Sequence, residues 1–468
     1  MTYLAAFTDW VNTDPWPRDE RFSGPALTPA AIERKLRVSE LTRATRFDYD
    51  ADDLAAHCRR LVILGPPGSG KTWLAKRTAR RCAEKALDAL AAGDSLDDIE
   101  LPLYTTCSKL FSADGDIREA IVSSALMQIS DLGSSRLIAS LRTFFTERTS
   151  ATLLVIDALD EALGPDERLR QADTLRAPWR IVLTSRPSSW NQQLIIDNDH
   201  FNHVGELQPL RYPTDVEPFI QNWFHQRPEW GRNLAAQIAQ RRHLQEAATV
   251  PLILAFYCIL GGRQPLPSFT RDLYSRVLKR ILTGRWRGWD GHQPHVDDCL
   301  RALQGMAWSA TSTQDPSGLG YWPDVFHAQP VRLGEAERNA VDHIAVPIAL
   351  PDIDTDRTAR RFIHHSMREH LVAEYVAGLP VMEAAEVLLP HLWYDPEWEY
   401  ACPAAVAMHP QNDQLLRELI RRTMPTGLNN GSLYGTDACS GRILGRRFDL
   451  GLRHRHDRRP CSSRSHTG

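Results

Sequence analysis

Residues 65–72 read GPPGSGKT and follow directly on the apolar run LVIL at 61–64. These types fit the pattern G-x-x-x-x-G-K-[ST], which makes physical sense as a socket for phosphate. Gly65, Gly68 and Gly70 let the backbone curl with its N–H groups turned inward, which side chains there would hinder. Pro66, Pro67 and Ser69 complete the loop, and a helix starting behind it aims its positive end at the anion. Lys71 places a point charge on the β- and γ-phosphates, and the Thr72 hydroxyl can ligate Mg2+. The plainer alternative is an incidental turn. It leaves unexplained why a strand-like run precedes the loop and an amphipathic stretch, 73–90, follows it.

A phosphate-bound metal needs a carboxylate at the end of a neighbouring strand. LLVIDALDEA at 153–162 supplies one in Asp157, placed for a water-mediated metal contact. Asp160 and Glu161 follow three and four residues later. Either one orients an attacking water, or the pair caps the next helix. A third run, RIVLTSRP at 180–187, ends in Thr184, Ser185 and Arg186. A cation at that tip can sense the γ-phosphate and stabilise charge on it, whereas an isolated arginine at a strand end is more often simply solvated.

Positioning these groups requires a sheet. The strand candidates are LVIL (61–64), LPLYTT (101–106), TLLVID (152–157), RIVLTS (180–185) and HVGEL (203–207), each apolar enough to be buried on both faces. Helical stretches alternate with them, at 73–90 and 117–129, the signature of a parallel sheet covered by helices. Past residue 212 the strands stop and helical segments follow at 213–226, 232–248, 251–261 and 269–283. Two short β-like runs, HIAVPIAL and RRFIHH, flank the turn DIDTD near 343–364, and the helix SMREHLVAEYVA comes next. A small hairpin set among helices is how a winged helix reads. Residues 1–55 offer one short helix, at 30–42.

Composition narrows the class. The chain has 468 residues, enough for two to four domains, with 43% hydrophobic and 24% charged residues, as in an ordinary globular protein. A net charge of −3 argues against a general polyanion binder. Arginine outnumbers lysine 49 to six, but it is spread along the chain and balanced by 58 acidic residues, which fits codon bias better than a nucleic-acid surface. The eight cysteines form no CxxC pair, which speaks against a zinc site. No leader is visible, and the longest apolar run, 250–260, falls short of the roughly 20 residues of a membrane span. The expectation is a cytoplasmic protein. Residues 441–468 hold eight arginines and two aspartates with little apolar periodicity and read as a disordered tail, with a texture like out-of-frame sequence.

With these motifs in order, D-A-L-D-E at 157–161 resembles the NACHT family of signal-transducing NTPases, within the wider STAND class of nucleotide-switched regulators. LPLYTTCSKL is similar to that family's second strand and LTSRP to its sensor strand. ELQPL and the helix behind it look like the exit into the helical subdomain. VPLILAFYC resembles the segment whose proline, here Pro251, packs near the base. RDLYSRVLKRIL is similar to the helix opening the winged-helix part, and FIHHSMREHLVAEYVA to the winged-helix signature. The resemblance implies that His364 contacts the β-phosphate of ADP and locks a closed state. A histidine at a helix start is also often merely structural, as Pro251 at a first helical turn often is.

The resemblance covers roughly residues 57–380. It implies an α/β fold: a P-loop NTPase parallel sheet with helices on both faces at 57–210, after an N-terminal extension at 1–56. A helical subdomain at 211–262 and a winged-helix region at 263–380 follow, then a short all-α, HEAT-like region at 381–425 and a tail at 426–468. The implied cofactors are ATP or ADP with Mg2+, adenine being the default base. The implied activity is slow regulatory hydrolysis controlling an open, oligomerising state, in a bacterium for antiviral or stress defence. The first 55 residues are too short for a known kind of effector enzyme, so a separate effector or sensor protein is an expected partner. Two rivals remain. A small-molecule kinase needs an acceptor pocket and a lid arginine cluster, and neither is evident. A nucleic-acid remodeller needs a basic recognition helix, and in SMREHLVAEYVA Glu369 and Glu374 offset Arg368.

Overall fold

The structure is a computed structural model. It describes residues 1–12, 35–39, 46–106, 117–127, 129, 135–148, 151–158, 179–187, 190, 203–261, 265–282, 296–312, 320–321, 349–351, 359–362, 365–393, 395 and 398–423. Two compact units are present, one ending at Tyr375 and the other beginning at Val376.

The chain opens with α1 (Thr2–Asn12), followed by the strands β1 (Lys35–Ser39) and β2 (Arg46–Asp50) and by α2 (Ala51–His57). Next come β3 (Arg60–Leu64), α3 (Lys71–Ala92), β4 (Leu101–Thr106), α4 (Ile117–Met127) and α5 (Ser135–Glu147). The strands β5 (Thr152–Asp157), β6 (Arg180–Ser185) and β7 (His203–Leu207) complete the sheet. Among the described residues the strand order is β2-β1-β7-β3-β6-β5-β4. The strands from β7 to β4 are parallel, and β1 and β2 add antiparallel at the β7 edge.

The parallel strands β3, β4, β5 and β6 form where the sequence is predominantly apolar, because both faces are covered; β7, expected to be buried on both faces, is not, since Glu206 is exposed and His203 and Val204 are half-buried. Leu61, Val62 and Ile63 of β3 and Leu153, Leu154 and Val155 of β5 are fully buried. Each such side chain contributes about 1.5–3 kcal/mol. On one face lies α3, whose buried stripe is Leu74, Ala75, Thr78, Ala79, Cys82, Ala83 and Ala86. The i, i+4, i+8 spacing points one face at the sheet, and the alanines let helix and sheet approach closely.

The N-terminal residues depart from the sequence expectation. The stretch 30–42 was expected as a helix; within it, residues 35–39 are β1. Leu36 and Val38 alternate with Lys35, Arg37 and Ser39, a period of two, and Leu36 pairs with Leu207 of β7. An unexpected helix, α1, buries Tyr3, Leu4, Phe7 and Val11. The Tyr3 hydroxyl donates to the Pro102 carbonyl at 2.6 Å, and Trp10 meets Tyr104 edge-on at 5.3 Å.

Beyond the sheet come α6 (Val216–Trp223), α7 (Pro228–Ala239), α8 (Arg242–Ala248) and α9 (Pro251–Leu260). The single segment expected at 232–248 is two helices, α7 and α8. In α9 every residue from Leu252 to Ile259 is buried, as expected for a helix that is apolar all round. After α10 (Thr270–Leu282) and α11 (Val296–Ser312), three short strands pair antiparallel in the order β8 (Gly320–Tyr321), β10 (Ala359–Phe362), β9 (Ala349–Pro351). Then α12 (His365–Ala377) begins. The second unit holds α13 (Val381–Leu388), α14 (Ala401–Met408) and α15 (Asn412–Thr423), with His409 Nε2 3.0 Å from the Leu379 carbonyl. Among the described residues no single helix is long and apolar enough to cross a membrane.

Candidate nucleotide site

The loop Gly65–Gly70 joins the end of β3 to the start of α3, at the C-terminal ends of the parallel strands. Gly68 and Gly70 have φ of 73° and 93°, a left-handed backbone that disfavours any side chain. At Gly68 a Cβ would also sit 3.0 Å from the Leu252 Cβ, so this position is closed to larger residues twice over. The Gly65 N–H donates to the Ser185 carbonyl at 3.2 Å, which ties the loop to β6. Lys71 Nζ donates to the carbonyls of Gly65 (2.7 Å) and Pro66 (3.2 Å), so the ammonium folds back over the loop it follows. Thr72 is exposed, while the Ser69 hydroxyl is buried with no partner among the described residues.

Strand order decides what faces this loop. Between β3 and β5 lies β6, which brings Thr184 level with Ile63 on one side and places Leu183 beside Ile156 on the other. Asp157, at the end of β5, is 3% exposed. Its Oδ2 accepts from the Tyr104 hydroxyl at 2.9 Å, and its Oδ1 accepts from the Thr184 hydroxyl. The Thr184 oxygen in turn accepts the Ala158 N–H at 2.9 Å, with Ala158 itself left-handed at φ 60°. Both carboxylate oxygens are thus held from the neighbouring strands β4 and β6. In the sequence the signal for Tyr104 is slight, a phenol near the end of a strand otherwise set for burial.

Pro251 is the first residue of α9, and the segment around it rests on the loop. The Leu252 N–H donates to the Gly68 carbonyl at 3.2 Å, and Val250 packs on the same glycine. Arg186 directly follows β6, and its guanidinium pairs with Glu369 of α12 at 3.6 Å. Along the sequence Glu369 offsets the charge of its neighbour Arg368; in the structure it is also 5% exposed and turned toward Arg186. Asp160, Glu161 and His364 lie outside the described residues.

Behind Glu369 lies a buried polar cluster. The ring of His370, fully buried, stacks on Tyr274 at 5.1 Å, and its Nε2 is 3.1 Å from both Ser275 Oγ and Glu374 Oε1. Ser275 donates to Glu374 Oε1 at 2.6 Å and Gln304 Nε2 to Oε2 at 3.0 Å. Burial pushes the Glu374 carboxyl up, but the hydrogen bond and charge of His370 and the bonds from Ser275 and Gln304 outweigh it and hold it at about 2. Tyr274 donates to Ser366 at 2.9 Å; burial raises its phenol, and the Glu369 charge adds to that against the Ser366 bond.

The loop fits a nucleotide phosphate chain on its own geometry. It has left-handed glycines, a lysine beside it, an exposed threonine hydroxyl at the head of a 22-residue helix, and a buried carboxylate two strands away. Residues 59–227 match the NACHT domain family. Among curated proteins nothing matches. Of solved structures, a signal transduction ATPase with numerous domains (STAND) protein with a tetratricopeptide repeat sensor, from Pyrococcus horikoshii, aligns at 12% identity and a TM-score of 0.35 over 79% of this chain. The chain spans about half of that protein, 53% of its length. The motif loop, the parallel sheet that carries it and the family match together identify residues 59–227 as a NACHT domain with a P-loop NTPase core.

Proposed function

We propose that the chain is a nucleotide-dependent signal-transduction switch of the STAND type. It binds ATP or ADP with Mg2+ and hydrolyses ATP slowly to move between a closed state and an open, oligomerising one. The observation that carries this reading is the seat of α9 on the phosphate loop, through the Leu252 N–H on the Gly68 carbonyl at 3.2 Å. A loop that receives phosphate and the helices beyond the NTPase core then move as one piece. A ligand with different affinity for two arrangements can select between them.

In this reading Gly65–Thr72 hold the phosphates, and Lys71 exchanges its loop carbonyls for β- and γ-phosphate oxygens. The Thr72 hydroxyl and Asp157 hold Mg2+, Tyr104 and Thr184 keep the Asp157 carboxylate oriented, and Asp160 or Glu161 orients the attacking water. Bound Mg2+ supplies charge neutralisation on the terminal phosphates. Arg186 senses the γ-phosphate, Pro251 packs near the base, and His364 contacts the β-phosphate of ADP. The unit of β8–β10 with its flanking helices serves as the winged helix. The setting is cytoplasmic defence against viruses or stress, with a separate effector or sensor protein as partner.

The test is the mass of the purified protein by light scattering with ADP and then with a non-hydrolysable ATP analogue. The expected result is a larger assembly with the analogue alone. Equal masses in both, with both nucleotides bound, would overturn the switch. Asp157→Asn is expected to lower Mg2+-dependent turnover by about 100-fold or more while leaving metal-free nucleotide binding close to wild type.

A further inference from the structure

The opening helix is fastened at both ends to the strand that carries Tyr104. At the start of α1 the Tyr3 hydroxyl donates to the Pro102 carbonyl of β4 at 2.6 Å, and the Tyr3 ring meets Phe145 of α5 edge-on at 5.5 Å. Two turns on, the half-buried Trp10 ring meets Tyr104 of the same strand at 5.3 Å with 61° between the planes. Lys76 of α3 holds its ammonium 5.4 Å from the centre of the Trp10 ring. Lys76 is about one turn beyond Thr72, so Trp10 stands between the strand of Tyr104 and the head of the helix behind the phosphate loop. The Tyr104 hydroxyl in turn donates to Asp157 Oδ2 at 2.9 Å. Direct contacts therefore run from α1 through Trp10 and Tyr104 to the carboxylate at the end of β5.

We infer that Trp10 is a positioning residue for the metal-binding carboxylate: its ring fixes the tilt of Tyr104, and Tyr104 holds Asp157 in one orientation for Mg2+. This rests on the reading of Asp157 as a metal ligand given above. An edge-to-face ring contact is directional, and here it falls on the ring whose hydroxyl holds the carboxylate. The cation over the face of Trp10 steadies that ring in turn. A carboxylate oriented before the metal arrives loses no freedom on binding it, so disorder introduced at Trp10 weakens the metal and spares the phosphates. By linkage, Mg2+ on the nucleotide holds α1 against β4 by the factor that α1 contributes to the metal. A partner that draws α1 off the sheet therefore loosens the metal.

The experiment is calorimetry on the full chain with a non-hydrolysable ATP analogue, once with Mg2+ and once with EDTA, and the ratio of the two affinities reads the contribution of the metal. Trp10→Ala is expected to lower that ratio about threefold to tenfold with the affinity in EDTA unchanged. Trp10→Phe keeps a ring against Tyr104 and is expected to stay close to wild type. In a Tyr104→Phe background, where the hydroxyl is gone, Trp10→Ala is expected to leave the ratio unmoved. Equal losses with and without Mg2+, a loss as great in Trp10→Phe as in Trp10→Ala, or an effect that persists in the Tyr104→Phe background overturn the proposal. Should Trp10→Ala fail to fold, Trp10→Leu keeps apolar bulk without the ring; it is expected to lower the ratio in the same direction, and an unchanged ratio overturns the proposal. Wild type whose affinity does not depend on Mg2+ would defeat the reading of Asp157 as a metal ligand; wild type that depends on Mg2+ while Trp10→Ala is silent defeats only the role of Trp10.

Discussion

At the end of β3 the polar groups are held ready for something else, whereas between α10, α11 and α12 they are turned on one another. The loop has an exposed Thr72, a buried Ser69 hydroxyl without a partner among the described residues, and Lys71 resting on its own carbonyls. In the cluster, His370, Ser275, Gln304 and Glu374 close a set of mutual hydrogen bonds, and Tyr274 closes another with Ser366. The difference teaches what each centre is for. Groups satisfied internally contribute stability and fix the relative position of helices. Groups held in reserve contribute little to stability and much to binding. Substitutions in the two centres should therefore have crossed effects.

The largest effect is expected from Glu374→Ala. It takes one acceptor from fully buried His370, one from Ser275 and one from half-buried Gln304, and should lower unfolding free energy by about 3–5 kcal/mol in chemical denaturation, with nucleotide affinity close to wild type. Acid probes the same centre. Glu374 is held at about 2 in the folded chain against an ordinary 4.5, so its contribution is fully present above pH 4.5 and is lost as pH falls from there toward 2. That contribution is on the order of 3 kcal/mol, and Glu374→Gln should flatten this part of the acid-unfolding curve. A wild-type stability that does not fall across this window would break the comparison.

Lys71→Ala is the mirror case. Triphosphate affinity should fall roughly 100-fold, read by calorimetry, with unfolding free energy changed by less than about 1 kcal/mol. Unchanged affinity would remove the phosphate socket. The smallest effect sharpens the boundary between the two kinds of centre. Tyr104→Phe removes one bond to Asp157, a loss of about 1 kcal/mol. If that bond orients a metal ligand, turnover should fall several-fold and metal-free nucleotide binding should not; if it is only structural, the loss appears in stability alone.

Legibility followed burial. The parallel strands could be read from the chain almost to the residue, since strands covered on both faces, as β3 to β6 are, must be largely apolar; β7, with Glu206 exposed, was legible by its place after the others. β1 was harder. Its alternating Leu36 and Val38 follow A-A-I-E, good helix formers, and nothing local says that an edge of the sheet is waiting beside β7. α1 carried its own signal, Tyr3, Leu4, Phe7 and Val11 at helical spacing, but its meaning lies in the face of the sheet it covers. Glu369 was legible only as a neighbour of Arg368, because charge balance along a helix says nothing about which face is buried.

The sequence by itself determined the chemistry of the loop: three glycines, a lysine and a threonine in that order permit one kind of backbone and place charge at the head of a helix, and these are local properties. It likewise determined that Asp157 ends a buried strand. Only the tertiary structure decided what stands beside these groups. The placement of β6 between β3 and β5 brings Thr184 to Asp157, the seat of α9 sets Leu252 on Gly68, and the docking of α12 gives Arg186 a carboxylate. Strand order and helix docking are set by which apolar surfaces cover one another across long loops, and that sum is carried by the whole core, with no single motif to announce it.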